Sequence, residues 1–485
     1  MKKLLYIIFP LFILSCEGML DEVPEDFVSR ANYYQNEADA QGAINGVYSA
    51  FGPDFGGITY YLMVELHADF LNGRGSQQPI SNFDQLLNAQ NIGRAATNWA
   101  TFYRCINRAN VVIDNVSLIE NIDAGVRDRI VAEGHFLRAL AYFELVRGWG
   151  PVPLRVKENT DLSGLDAARA PESEIYDLII QDLITAEASL PDDVGAETGK
   201  ASVWAAKMLL AHVYLTTEQW SLAAQKADEV IQSGKYELVT VSKPDDFYNI
   251  FGVETSTEDI MSTHHSPTRG SSVPNYLHRA NARPYNYSSG GVFAWLPDTV
   301  NNTFIGPAWD NNDLRKAFNL YRQYQDFDGN WVDLPSTIPI LFKKFITTPD
   351  GISVPTIPIY RYSEAFLFYA EAAARANNGP TALALERLNM IKRRAYGYDP
   401  TVASPVDYPS GMTEDQFADT VLQERAYEFM IERRRWFDLK RTGKVKEAFA
   451  AIGKTFIDER LFWPIPEDEI NNNALINQVD QNPGY

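Results

Sequence analysis

The residues of this chain that could do chemistry are mainly aromatic rings in a proline- and glycine-rich stretch of its second half. Tyr285, Tyr287, Phe293, Trp295 and Trp309 lie there, outside any helical periodicity. Flat rings stack on the faces of sugars, while nearby Asn and Asp side chains bond to hydroxyl groups. The pattern predicts a binding face for such a ligand, and packing inside a core is the competing use of the same rings.

Motifs for catalysis and for metals are weak by comparison. The sequence contains no G-x-S-x-G nucleophile elbow and no glycine-rich phosphate loop. His264 and His265 stand without a zinc motif, and DFDGNWVD has its glycine misplaced for an EF-hand calcium loop. Paired carboxylates that could cleave glycosidic bonds arise by chance among 63 acidic residues. We predict no catalytic residue, metal or cofactor, with a surface glycan hydrolase as the alternative from another class.

The first residues predict the compartment. A basic start and a short apolar run end at Ile13-Leu14-Ser15-Cys16, which resembles the lipobox of bacterial lipoproteins. That resemblance implies a signal peptide over residues 1–15 and a lipid on the Cys16 sulfur. Residues 16–35 would then form the anchor and an acidic tether. Cys105, the only other cysteine, is predicted to be a small buried hydrophobe.

Charge and hydropathy narrow the partners. The 485 residues include 43 basic and 63 acidic ones, a net charge of -20. Such a chain repels phosphates, so we exclude nucleic acid as a partner. No later segment is long and apolar enough to span a bilayer, so the lipid anchor is the predicted contact with a membrane.

Helical pairs dominate the pattern, and the clearest lies within Ala201–Leu238. Ser202 can cap its first helix and Gly234 can end its second, with apolar residues at three- and four-residue steps between them. This pair resembles a tetratricopeptide unit, which cannot bury its apolar face alone. A second pair is predicted at Ser363–Asn377 and Thr381–Ala395.

The predicted fold is mostly α: a tetratricopeptide-like scaffold with a large irregular region of short strands and loops. Helical patterns fill residues 36–235 and return at 359–485, and the aromatic-rich residues 236–358 lie between them. Within that region, Asp328-Gly329 predicts a β-hairpin over Tyr321–Leu334.

A charged ladder follows in the last third of the chain. A capping box at Thr413 predicts one helix that continues to about Lys440. Glu424, Glu428 and Glu432 recur every fourth residue beside several arginines, which on a helix would give interleaved ion pairs. We interpret the ladder as a structural network, with a charged ligand site as the weaker alternative.

Two C-terminal stretches resemble the signature of the SusD/RagB family. They are QERAYEFMIERRRWFDLKRTGK, from Gln423 to Lys444, and FWPIPEDEINNNALINQVDQNPGY at the end. WATFYRCINRAN from Trp99 and HFLRALAYFELVRGWGPVPL from His135 also match the pattern, so the resemblance spans nearly the whole chain.

The resemblance implies a SusD-like, surface-exposed lipoprotein of the outer membrane. Such proteins capture glycans, or peptides in RagB-like members, and pass them to a SusC-like TonB-dependent transporter. By family position, the ligand face would include Asp69, Arg74, Asn98 and Trp99. A tetratricopeptide scaffold with only protein partners is a further alternative, for which the aromatic-rich region would have no evident purpose.

Overall fold

The computed structural model describes residues 33–55, 58–159, 165–265, 294–297, 308–326, 328–345 and 356–485. Within these ranges the fold is a scaffold of packed α-helices with short two-stranded antiparallel sheets. The predicted fold class is confirmed.

The first half is a succession of helices in which chain neighbours pack together. These are α1 (Glu37–Phe55), α2 (Ile58–Glu65), α3 (Ala89–Val116), α4 (Ala124–Trp149), α5 (Glu172–Ser189), α6 (Val203–Thr216) and α7 (Trp220–Ile231). Helix α4 packs on both α3 and α5, α5 packs on α6, and α6 packs on α7. Each helix therefore covers the apolar face of the preceding one, as in a repeat protein.

The helix pair α6–α7 forms as the sequence predicts. The Ser202 side chain accepts a hydrogen bond from the Ala205 amide and caps α6. After α7 the chain leaves through Gly234, whose φ of 67° lies in the left-handed region. Ala206 and Ala223 are fully buried, so small side chains lie where the two helices approach each other.

Short paired strands lie mainly in the irregular region between the two helical parts. They are β1 (Asn72–Gly73), β2 (Val152–Pro153), β3 (Arg169–Ala170), β4 (Asp259–Thr263), β5 (Ala294–Trp295), β6 (Leu320–Tyr321), β7 (Gln323–Gln325), β8 (Trp331–Asp333), β9 (Leu341–Phe342) and β10 (Ile357–Arg361). The predicted hairpin is confirmed: β7 pairs with β8, and Gly329 turns with a φ of 85°. Strand β1 pairs with β5, β6 with β9, and β4 with β10.

Short helices accompany these strands, and longer ones return at the C-terminal end. They are α8 (Tyr248–Phe251), α9 (Leu314–Asn319), α10 (Tyr362–Ala376), α11 (Ala382–Ala395), α12 (Glu414–Glu428), α13 (Arg435–Arg441), α14 (Val445–Ala451) and α15 (Glu467–Asn472). The predicted second helix pair is thus confirmed as α10–α11. Helix α10 also packs on α7, which joins the two helical parts into one core.

Two predictions about the bulk of the chain can be compared with the structure. Cys105 is a free, buried thiol, and burial raises its pKa to about 12, so it behaves as the small hydrophobe we expected. In the described ranges, no helix combines the length and hydropathy that crossing a membrane requires.

The prediction of one helix from Thr413 to about Lys440 is wrong. The capping box at Thr413 forms, but α12 ends at Glu428, and α13 begins only at Arg435. Between them, Ile431 and Arg433 take left-handed φ values of 54° and 61°. The break leaves backbone carbonyls open to donors that are distant in sequence. Lys344 Nζ donates to the Met430 carbonyl oxygen at 2.8 Å, and the Tyr61 hydroxyl donates to the Ile431 carbonyl oxygen.

The charged ladder is a structural network, as predicted, but its pairs do not run along one helix. Its carboxylates bind cations that come from other segments of the chain. Glu428 pairs with Arg315 at 3.0 Å, Arg361 at 2.5 Å and Arg394, and Glu432 pairs with Lys344 at 2.7 Å and Arg361 at 2.9 Å. All of these side chains are buried.

Electrostatics keeps these buried carboxylates ionised. Burial by itself would raise the pKa of Glu428, but Arg394, Arg361 and Arg315 together hold it well below its usual value. The pKa of Glu432 is lowered in the same way, because Arg361 and Lys344 outweigh the effect of its burial. The network is therefore a set of charges that stabilises the fold only when every partner is present.

Replacing Glu428 by Gln should lower the free energy of unfolding by about 3–5 kcal/mol, because it leaves buried guanidinium groups without their carboxylate. Urea denaturation would measure the difference. Glu447→Gln is the matched control, since Glu447 pairs with Lys444 on the surface; that variant should unfold like the parent. Equal stability of both variants would contradict the role assigned to Glu428.

Acid should weaken the fold through the same carboxylates. The folded-state pKa values of Glu428, Glu432 and Asp438 are lowered, so their stabilisation is complete above the ordinary carboxyl pKa of about 4.5 and is lost as the pH falls through the folded values. The free energy of unfolding, measured from pH 6 downward, should therefore fall below about pH 4.5. In Glu428→Gln the slope should be shallower, and an unchanged slope would contradict the assignment.

Candidate ligand-binding site

The predicted ligand residues of the early loop have different environments. Asp69 is buried and receives two hydrogen bonds from Arg435, at 2.9 and 2.7 Å, so it attaches the loop to α13. Arg74 is exposed. No hydrogen bond or ion pair joins its guanidinium to another residue in the part of the chain that the structure describes. Arg74 is therefore the member of this pair that could meet a ligand.

Strand pairing brings Trp295 to the same loop. Asn72 is the register partner of Trp295, and Gly73 is that of Ala294. A Cβ atom on Gly73 would lie only 2.6 Å from the Gln77 carbonyl carbon, so glycine is needed for the loop to fold back tightly. Two predicted residues far apart in sequence, Arg74 and Trp295, thus belong to adjoining segments of one surface.

The start of α3 supports this loop from below. Asn91 donates from Nδ2 to the Ser76 carbonyl at 3.1 Å, and Arg94 donates to the same oxygen at 3.1 Å. The loop that carries Arg74 is therefore held on a long, rigid helix.

Two further predicted residues, Asn98 and Trp99, lie in the core on α3. The Trp99 ring packs 4.9 Å from the Tyr103 ring and 5.6 Å from that of Trp149, with ring centroids as the reference points. Asn98 is 1% exposed, and neither polar atom of its amide has a partner in the described ranges. In this conformation both side chains are shielded from a ligand.

Trp309 is also a core residue. It is 1% exposed, its ring stacks on Tyr427 at 4.4 Å, and its indole N–H donates to Asp313 at 2.9 Å. One ring face is thus occupied by a neighbouring aromatic. The remaining predicted residues, Cys16, Tyr285 and Tyr287, lie outside the described residues, as does Phe293.

A cleft of about 560 Å³ opens beside the strand that contains Trp295. Its wall includes residues of α9, of the β6–β7 segment and of β8, and the polar ones are Asn311, Lys316, Tyr321, Arg322, Gln323 and Asp333. Leu296, the residue after β5, bridges to Ile340, which lines the cleft, so the end of β5 lies next to the cleft wall. The cleft therefore combines amides, a carboxylate, cations and a phenol ring.

The β7–β8 hairpin has two chemically different faces. Tyr324 is paired with Val332, and Tyr324 packs with Trp295 around the buried Leu334. Because side chains alternate along a strand, Gln323, Gln325, Trp331 and Asp333 share the opposite face. Gln323 and Asp333 line the cleft and are bonded to each other at 2.7 Å.

Trp331 is a candidate ligand contact that was not among the residues predicted from the sequence. It lies on the same hairpin face as Asp333 and is 66% exposed, which is unusual for an indole. The sequence contained a signal for this placement. Trp331 and Asp333 are two residues apart in a predicted strand, so both side chains lie on the same face of the hairpin. The Trp331 side chain therefore lies on the hairpin face whose Gln323 and Asp333 line the cleft.

Comparison with known proteins agrees with this architecture. Residues 27–215 match a family model described as starch-binding and associating with the outer membrane, and residues 324–485 match the model of the SusD family. The chain belongs to the SusD family. By these descriptions, its members are binding proteins associated with the outer membrane.

Relatives cover the chain over its whole length. SusD-like protein P2 of Formosa agariphila is 27% identical over 520 residues, which cover 100% of this chain and 99% of the relative. A crystal structure of a SusD superfamily protein from Parabacteroides distasonis superposes with a TM-score of 0.79 at 25% identity, covering 93% of this chain and 99% of that one. A laminarin-binding SusD-like protein has a TM-score of 0.74 at 22% identity, covering 93% and 100%.

Replacing Gly73 by Ala should destabilise the protein by about 1–3 kcal/mol, because the added methyl group overlaps the Gln77 backbone. Urea denaturation would measure this change. Gly46→Ala is the control, since a Cβ atom there meets no neighbour within 4 Å and the site is helical. That control should be neutral or stabilising by up to about 1 kcal/mol. A Gly73→Ala variant as stable as the parent would show that the tight loop is dispensable.

Proposed function

We propose that this protein captures an oligosaccharide on the outer face of the outer membrane and delivers it to a SusC-like TonB-dependent transporter. A lipid on Cys16 would hold the protein at the membrane, and the acidic segment that follows would act as a tether. The ligand would lie along the hairpin face that carries Trp331 and towards the loop of Arg74, with Trp295 packed behind the hairpin as its support.

The exposed ring of Trp331 beside the polar cleft is the observation that carries this proposal. A sugar presents an apolar face of C–H groups and an edge of hydroxyl groups. The exposed indole ring can stack on the C–H face. The amide of Gln323 and the carboxylate of Asp333 can form hydrogen bonds with the hydroxyl groups. Because Trp331 is exposed in the folded protein, it can make this contact without any rearrangement of the core.

The cleft favours binding over hydrolysis. Cleavage of a glycosidic bond uses a pair of carboxyl groups, one on each side of the bond. Among the described side chains that line the cleft, Asp333 is the one carboxylate, and it is bonded to Gln323. We therefore expect affinity without turnover.

The ligand class is also supported by proteins of the same fold. The family model for residues 27–215 is named for starch binding, and one structural neighbour is named for laminarin binding. Both names refer to glycans, so we prefer a glycan to a peptide. A peptide ligand, as in RagB-like proteins, is an alternative outcome of the test below.

On a glycan array, the full-length protein in detergent should bind one class of oligosaccharide. Trp331→Ala should lower the affinity about tenfold, because the ring face that stacks on the sugar is lost. Trp295→Ala should also weaken binding, through loss of the ring that supports the hairpin. Calorimetric titration with the best glycan of the array would give the values.

Two control variants accompany this experiment. Trp331→Tyr keeps an aromatic face and should retain most of the affinity, whereas Leu118→Ala changes another exposed apolar residue and should have no effect. Binding of peptides but not of glycans would refute the proposed ligand class. Shortened products after incubation with the bound glycan would refute a purely binding role.

A further inference from the structure

A second polar cleft lies on the helical side of the molecule. It has a volume of about 380 Å³ and is bounded by α3, the segment after β2, and the C-terminal helix α15. Tyr103, Asn107, Arg155, Asn159, Asp468 and Asn472 are among its lining residues. None of them takes part in the cleft beside Trp295.

The loop of Arg74 and the second cleft lie at different positions along α3. The first turn of α3 contacts the loop of Arg74 through Asn91, whereas Asn107 lies near the other end of the helix. With a rise of 1.5 Å per residue, these two positions are roughly 24 Å apart along the helix axis. The two clefts also share no lining residue, so the second is a distinct site and not an extension of the first.

The floor of the second cleft is rigid. The Arg155 guanidinium lies 5.0 Å from the centre of the Tyr103 ring and donates to Glu469 at 2.7 Å. The Tyr103 hydroxyl in turn donates to the Pro153 carbonyl at 2.8 Å. These contacts fix Arg155 between the core and α15, and its Nε–H has no acceptor in the part of the chain that the structure describes.

Four of the amides around the cleft fall into two groups, and a fifth, that of Asn472, is exposed and donates from Nδ2 to the Asp468 carbonyl at 2.8 Å. Asn110 and Asn473 are buried and use their side chains to bond backbone groups, so they build the walls. Asn107 and Asn159 are exposed, and no hydrogen bond links either side chain to another described residue. The exposed amides are thus available as donors and acceptors at the rim.

The charge of the residues that line the second cleft limits the kinds of ligand that it could bind. Arg155 and Glu469 neutralise each other, and the exposed Asp468 leaves the described lining with a negative charge. Phosphates, sulfates and uronic acids would be repelled. A neutral molecule with several hydroxyl groups fits, because Asn side chains can both donate to and accept from vicinal hydroxyls.

We propose that this cleft is a second saccharide-binding site, which takes one or two neutral sugar units through Asn107, Asn159, Asp468 and Asn472. The inference rests on the proposed function for the class of ligand, whereas the site itself is argued from its own residues. Two sites at a fixed separation would retain a long glycan more firmly than either alone, since the second contact is intramolecular.

Saturation-transfer NMR with neutral monosaccharides tests the second site directly. The protein is the full chain in detergent carrying Trp295→Ala and Trp331→Ala, which disable the first site. The probes are glucose, galactose, mannose, xylose and N-acetylglucosamine at millimolar concentration. At least one probe should receive saturation, and adding Asn107→Ala with Asn472→Ala should reduce the transfer about fivefold, as expected for a lost hydrogen bond.

Asn471→Ala is the matched control, because Asn471 is an exposed neighbour of Asn472 that does not line the cleft. Transfer in that variant should be unchanged. Absence of transfer to every probe, or transfer that survives the Asn107 and Asn472 substitutions, would overturn the second site. Failure of the proposed function would instead appear as a glycan array without binding by the unmodified protein, so the two failures are distinguishable.

Discussion

The buried carboxylate of Glu428 sets the strongest constraint on this fold. It lies at the end of α12 and binds arginines from three other segments: Arg315 on α9, Arg361 on β10 and Arg394 on α11. A buried charge without its partner costs several kcal/mol, so these segments must assemble together or not at all. The network therefore makes the irregular region and the C-terminal helices fold as one cooperative unit. Buried ion pairs, more than strand pairing, connect these two parts.

The same constraint explains how an irregular surface can still present a defined ligand site. Arg315 precedes the β6–β9 segment and Lys344 follows it, and both are bonded to the end of α12 or the turn after it. The hairpin with Trp331 is thus held at both ends by buried ion pairs, while its outer face makes few contacts with the core. A rigid base with a free outer face suits a binding surface, because residues on that face can change without loss of the fold.

Helices and caps could be predicted from the sequence because their signals are local. Periodicity located α6–α7 and α10–α11, and Ser202 and Thr413 capped as their residue types suggest. The break after Glu428 could not be predicted, since ERAYEFMIERRRWFDLK continues a helical pattern and the donors that favour the turn, such as Lys344, are distant in sequence. Which aromatic residues are accessible to a ligand could not be predicted for a related reason. Residue type marks Trp99 and Trp309 as able to stack, but only tertiary packing decides that both rings are buried and that Trp331 is exposed.

Helix α3 supports the loop of Arg74 and also forms one wall of the second cleft. Its N-terminal end supports the loop of Arg74 through Asn91 and Arg94, and its later turns provide Tyr103 and Asn107 to the second cleft. Between them, buried residues such as Asn98, Trp99 and Phe102 fix the helix in the core. A helix packed in this way cannot bend to bring the Arg74 loop and the second cleft together, so the distance between them is set by the fold. A ligand that occupies both must be long enough to span that distance, which would make the protein selective for chain length as well as for sugar type.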